Sequence, residues 1–417
     1  MSSWKKTFRA AFAAQFCAIM GFSLAMPFMP LFIRELGVTD KGEVARWAGY
    51  ANAATPLTMA IFAPIWGMLA DRYGRRLMVM RAMFGGAVVL ALMALVQDVY
   101  QLVACRLLQG ALTGTVAALV ALVAAETPRE RAGYALGMMQ AAVFVGFAFG
   151  PLLGGLIANG LRAQPGFATG ALRYRVTFAL SAILLVAAGL LVRFATREAY
   201  QPGPPAAKAG HASFRHVLAA TGFLAAVFAL LTLRFANSVS ASTFALFIED
   251  ICGRRMDIDS VVGIVLGVGG VAAAIGCAVL GPLSDAWGHR RLLITACFAS
   301  GLVSLGYFFS ATLRDLIVFR VLFGLAAGGM LPAANAIIRH TTSDENMGKA
   351  YGITTSMGSV GWVAGALGGG HLAAIYSPRA TFIPMAVAFW LAAALVTFSV
   401  RTDRARDAAG AAPESLG

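Results

Sequence analysis

Gly67-Met68-Leu69-Ala70-Asp71-Arg72-Tyr73-Gly74-Arg75-Arg76 interrupts two long apolar runs. At a distance of 214 positions, Gly281-Pro282-Leu283-Ser284-Asp285-Ala286-Trp287-Gly288-His289-Arg290 interrupts two more. The same separation relates Arg106-Leu107-Leu108-Gln109-Gly110 to Arg320-Val321-Leu322-Phe323-Gly324, and 215 positions relate Leu31-Phe32-Ile33-Arg34-Glu35 to Leu246-Phe247-Ile248-Glu249-Asp250. Three registers agreeing within one residue read as a duplicated chain, whose copies are expected to meet around a site near a membrane midplane.

The solvent of these runs is lipid. Of 417 residues, 59% are hydrophobic and 12% charged, with a mean hydropathy of +0.75, against about 25% charged in soluble domains. Apolar runs at 10–33, 47–69, 77–97, 101–125, 134–159 and 174–195, then 217–248, 260–283, 292–312, 316–338, 350–375 and 380–400, predict twelve membrane spans. Each is long enough to cross hydrocarbon as a helix. The expected fold is an all-α membrane protein of two six-helix bundles, 1–195 and 217–400, with a polar loop at 196–216 and a tail at 401–417. The basic start followed by apolar residues from Ala10 reads as a retained first span, since it exceeds a signal-peptide core.

The net charge of +14 is a question of sidedness. With both ends in the cytoplasm, inside segments carry 19 Lys and Arg and outside loops ten, which supports that orientation in aggregate although Arg162, Arg173 and Arg175 oppose it. Cys17, Cys105, Cys252, Cys277 and Cys297 support neither a disulfide framework nor a metal site.

The 67–76 stretch resembles the cytoplasmic loop signature of the major facilitator superfamily, between its second and third helices, with 285–291 as a weaker echo. The resemblance implies a latch of Gly67, Asp71, Arg72, Gly74, Arg75 and Arg76, with Asp285 and Arg290, that favours the outward-open state. Gly67 would let two helices approach closely. A topology anchor is the alternative. Arg106 to Gly110, followed by Gly114, resembles the fourth-helix signature. Gly146-Phe147-Ala148-Phe149-Gly150-Pro151-Leu152-Leu153-Gly154-Gly155 resembles the fifth-helix motif of exporters, a pivot of Gly146, Gly150, Pro151, Gly154 and Gly155. A plain small-residue packing face is the other reading. Met26-Pro27-Phe28-Met29-Pro30-Leu31 looks like the twelve-span drug:proton antiporter branch of bacterial multidrug exporters. A bacterial inner-membrane location, proton coupling and a monomeric state follow as expectations from that resemblance.

Charges inside the spans carry the chemistry, because an ionised side chain there needs a cavity or partners. Arg234, followed by Asn237, Ser238, Ser240 and Ser242, is the expected substrate contact; a structural arginine is the alternative. Arg106 takes the proton-coupling role that the resemblance implies, and Arg320 is either functional or a relic of duplication. No carboxylate lies mid-span, so Glu35 and Glu126 at span ends, and Asp71 in the latch, are the acids left for proton carriage by elimination; a solvated or paired acid is the other reading of each. A cavity with arginines and no acids favours neutral or anionic cargo over cations. Gln15, Asn52, Gln109, Gln140 and Asn335 can face its water, and Phe22, Met26 and Trp362 can add adaptable walls.

The five histidines lack metal-ligand spacing, and no nucleotide-binding loop occurs. The expectation is therefore a secondary transporter of small molecules that needs no cofactor and binds no nucleic acid. Its rivals are an importer or uniporter of a small organic anion, and a sensor or scaffold without flux.

Overall fold

The computed structural model describes residues 3–162, 164, 170–196, 221–253, 257–342 and 347–399. The polar loop and tail expected at 196–216 and 401–417 lie almost wholly outside these residues. Among the described residues, eleven helices are long and apolar enough to span a membrane. A twelfth, Met347–Ile375, has 29 residues, but its glycines, serines and threonines dilute its hydropathy.

The first span is α1 (Ser3–Ala25), a 3-10 turn at Met26–Phe28, and α2 (Met29–Glu35). Pro27 and Pro30 sit in first turns, where a missing N–H costs no helical bond. Next come α3 (Lys41–Tyr73), α4 (Arg75–Leu95), α5 (Val99–Leu112), α6 (Thr115–Glu126), α7 (Arg129–Arg162) and α8 (Leu172–Ala195). The second half runs α9 (Thr221–Cys252), α10 (Ile258–Trp287), α11 (His289–Phe309), α12 (Leu313–Thr341), α13 (Met347–Ile375) and α14 (Phe382–Ser399).

Local chemistry sets the element ends. The Asp40 carboxylate accepts from the Glu43 amide at 2.8 Å and starts α3. A reciprocal capping box of Thr312 and Asp315 starts α12. Both signature loops turn on a glycine with positive φ, Gly74 at 94° and Gly288 at 89°, a conformation that a Cβ would strain. Gly114, at φ 123°, divides the fourth span into α5 and α6, whereas its counterpart α12 is continuous.

Within the first bundle α1 lies between α7 and α8, α4 against α8, and α3 against α5. In the second, α9 lies against α13, α10 against α12, and α11 against α12 and α14. Two seams join the bundles, α3 with α13 and α7 with α10.

Candidate functional site

Arg106 of α5 is 2% exposed, and its guanidinium is satisfied by neutral groups. Nε donates to the Ala51 carbonyl at 3.0 Å, Nη1 to Gln109 Oε1 at 2.7 Å, and Nη2 to Asn52 Oδ1 at 3.2 Å. Asn52, on α3, turns its amide nitrogen to the other bundle, donating to Ser242 Oγ at 3.2 Å and to the Ala241 carbonyl at 3.4 Å. One turn back on α9, Ser238 donates to the Trp362 carbonyl of α13 at 2.6 Å. A polar chain thus runs from α5 through α3 and α9 to α13. It gathers Arg106, Gln109, Asn52 and Trp362, which the sequence marked separately.

Arg234 lies one turn further along α9. It is exposed, yet protein crowds it on many sides, the combination expected of a side chain lining a hollow rather than facing lipid. Its stem runs past the bare Gly358 on α13, where an added Cβ would come within 3.6 Å of Arg234 Cγ. Asn237, Gln140, Asn335 and Trp362 are half-buried. Phe22 turns into the first bundle, its ring tip 3.2 Å from where Gly86 would carry a Cβ. Met26 packs on the core around the 3-10 turn. Gln15 is fully enclosed, with neither amide atom hydrogen-bonded.

At one end, ion pairs hold the two bundles together. Arg34 holds Glu249 by two bonds of 2.7 and 2.6 Å, and Lys41 holds Asp250. Asp259, 1% exposed at the start of α10, accepts from the Tyr174 hydroxyl at 2.9 Å and lies 3.5 Å from Arg173 Nε. Arg173 also reaches Glu35 at 3.4 Å. Arg34, Glu249, Glu35, Arg173, Tyr174 and Asp259 line a crevice of about 160 Å³. The seam glycines show the same asymmetry. At this end a Cβ on Gly370 would lie 2.9 Å from Gly49 Cα, and one on Gly155 3.2 Å from Gly263 Cα. At the opposite end, Gly67, Gly137, Gly281 and Gly352 of the same four helices have nothing within 4 Å.

The Major Facilitator Superfamily family model matches residues 11–315 and 259–415. This chain is a member of that superfamily. The multidrug resistance protein MdtG of Citrobacter koseri is 34% identical over 91% of both chains, and that of an Escherichia coli O1:K1 strain 32% identical over the same shares. Among solved structures, a bacterial homologue of the human lysosomal transporter Spinster, inward-facing and occupied, superposes with a TM-score of 0.79 at 14% identity, covering 96% of this chain and 97% of that one. The human organic anion transporter MFSD10 gives 0.67 at 17% identity, covering 95% and 100%. Membership makes this chain a multi-pass membrane transporter rather than an enzyme.

At the superfamily loop signature the seam is open beside Gly67. Sequence reasoning assigned Gly67 a close helix approach, but nothing meets it here, because the ends of the seam helices that carry the signature have separated. The side chain of Asp71 lies outside the described residues. Arg72 is exposed, with its guanidinium over Tyr73 at 5.3 Å, and Asp285 is exposed 3.9 Å from His289. Arg76 donates to the Arg193 carbonyl ending α8. Its counterpart Arg290 donates to the Thr397 carbonyl ending α14 at 2.7 Å. Each caps a helix C-terminus with positive charge. Glu126 is half-buried at the end of α6.

In the exporter-like stretch, Gly146, Gly150 and Gly154 form one face against residues 19–28 of the first span. The Ser23 hydroxyl donates to the Gly146 carbonyl at 3.1 Å. Pro151 and Gly155 face α10 across the seam. Sequence reasoning missed Asp259, Tyr174 and Glu249. All three sit at span ends, where an acid or a tyrosine looks like an ordinary loop or interface residue.

Proposed function

We propose that the chain exports small amphiphilic compounds, neutral or anionic, by proton antiport with alternating access, from a bacterial inner membrane with both termini in the cytoplasm. The sealed end is then the outer face and the parted signature loops mark the cytoplasmic opening, an inward-facing arrangement. The observation that carries the reading is Arg234, accessible in a hollow whose spans hold no mid-span carboxylate. A positive potential in a low-dielectric cavity attracts anions and disfavours lipophilic cations. The relatives named multidrug resistance protein support export.

Arg106 serves coupling by tying α5 to both bundles through Asn52. Glu35, in the outer crevice, and Glu126, near the cytoplasmic ends, are the acids proposed for proton exchange, and the buried Asp259 joins them. Gly146, Gly150, Pro151, Gly154 and Gly155 serve as the bending surface of α7. The protein acts as a monomer of two bundles joined through 196–216.

Proteoliposomes with an imposed pH gradient test this in both orientations. Uphill movement of an anionic or neutral dye driven by the gradient, with an Arg234→Ala variant impaired for the anion, is the expected result. Anion transport unchanged in that variant removes the contact, and flux indifferent to the gradient removes antiport.

A further inference from the structure

Arg320 is the repeat partner of Arg106, and its surroundings have changed chemistry. At the positions equivalent to Asn52 and Gln109, which accept from Arg106, the second bundle has Leu266 and Phe323. Nε and Nη1 of Arg320 are buried and have no hydrogen-bond partner. The guanidinium lies 5.1 Å from the Phe244 ring centre and 6.0 Å from that of Phe323, and the stem crosses the bare Gly269 of α10. The Tyr307 hydroxyl of α11 is fully buried and faces Arg320 closely enough for the two side chains to interact by hydrogen bond and charge.

Ring faces soften a buried cation, but they do not accept its N–H bonds in the geometry that those bonds need. Donors that converge without an acceptor in an apolar wall are costly unless a further group accepts from them. Neutral oxygens could accept those bonds, as they do from Arg106, but only an anion would also cancel the charge, and Leu266 and Phe323 offer no acceptor. Arg320 is half-buried, so part of it stays accessible to such a group.

We propose that Arg320 and Tyr307 form a binding site for one small monovalent anionic group, a halide or a carboxylate, inside the second bundle. The site is separate from the Arg234 contact and holds whichever direction the transporter runs. A resident halide would neutralise Arg320 through every cycle, and a cargo carboxylate would do so only while cargo is bound.

Thermal unfolding of the purified full chain in lipid nanodiscs tests the site at constant ionic strength, replacing sodium isethionate, a sulfonate that is neither halide nor carboxylate, stepwise by sodium chloride or by sodium benzoate. The wild type is expected to gain several degrees, saturably, because an anion that binds only the folded state stabilises it. Arg320→Met loses the response, and in isethionate melts no lower than the wild type because an uncompensated charge is gone. Tyr307→Phe raises the half-saturating concentration at least threefold. A response to chloride alone assigns a resident counter-ion; a response to benzoate that chloride displaces assigns a cargo carboxylate. Superimposed curves in all three salts for the wild type, or an undiminished response in Arg320→Met, overturn the proposal. Should Arg320→Met not yield folded protein, an unchanged half-saturating concentration in Tyr307→Phe overturns it instead. The readout is independent of flux, so it stands or falls apart from the export reading.

Discussion

Arg106 is a full charge held by amides and a carbonyl rather than by a carboxylate. Three neutral acceptors satisfy its donors without cancelling its charge, so the site keeps a positive potential. Replacing Asn52 by Ala strands Nη2 and cuts the link to α9, at a cost of about 1–3 kcal/mol. Thermal melting should fall accordingly, and exchange of cargo should slow. Gln15 is the opposite case, since its enclosed amide bonds to nothing. Gln15→Met keeps the volume and removes an unsatisfied group, so melting should stay level or rise; a clear fall would reveal a partner for that amide. Both residues were legible as polar positions inside apolar runs. Composition along the chain does not say which acceptors meet which donors, because those meetings are made between helices far apart in sequence. Asn52 and Ser242 are 190 positions apart.

At the scale of the helix, the spans and their duplication could be read from hydropathy and repeated loops, because each run must satisfy its backbone internally to cross lipid. The break of the fourth span at Gly114 was not legible, since one glycine inside an apolar run is equally a packing residue. Glycines on the four seam helices acquire meaning only as pairs. Gly49 with Gly370 and Gly155 with Gly263 touch backbone to backbone, while Gly67, Gly352, Gly137 and Gly281 occupy repeat-related places that are open. Alternation between the two ends would then bring Gly67 toward Gly352 and Gly137 toward Gly281. Gly352→Leu should leave folding intact, because its side chain enters free space in the present arrangement, yet slow turnover several-fold by obstructing closure. Gly49→Val brings its Cβ to 2.6 Å from the Ala366 carbonyl oxygen and 3.2 Å from the Gly370 Cα, inside van der Waals contact with backbone, and should lower stability by about 1–3 kcal/mol. Melting curves and single-turnover exchange separate the two effects. Equal melting losses in both variants would mean that Gly352 is packed rather than open, and unchanged exchange in Gly352→Leu would mean that the seam does not close there.

For the whole molecule, the sealed end is the part of the state that charge can tune. Arg34 and Glu249, which the 215-residue register places in equivalent parts of the two halves, form a two-bond ion pair across the bundles, with side chains 27% and 11% exposed. Their partial burial reduces screening, so the pair is worth more than a surface contact. Glu249→Gln removes the charge while keeping the shape, and a loss of about 1.4 kcal/mol of closure raises the open fraction at that end about tenfold. Ala45, buried where α3 meets α13 beside Gly370, reports that opening. With the native cysteines replaced and a cysteine placed at Ala45, a membrane-impermeant maleimide should label the Glu249→Gln variant about tenfold faster than its parent. Exchanging the charges, Arg34→Glu with Glu249→Arg, should return labelling to near the parent rate, because the attraction is the same with its poles reversed. If Glu249→Gln labels no faster, closure rests on the Asp259, Arg173 and Tyr174 cluster instead. The corresponding Asp259→Asn variant would then carry the acceleration, since it alone removes the carboxylate that accepts from the Tyr174 hydroxyl across the bundles.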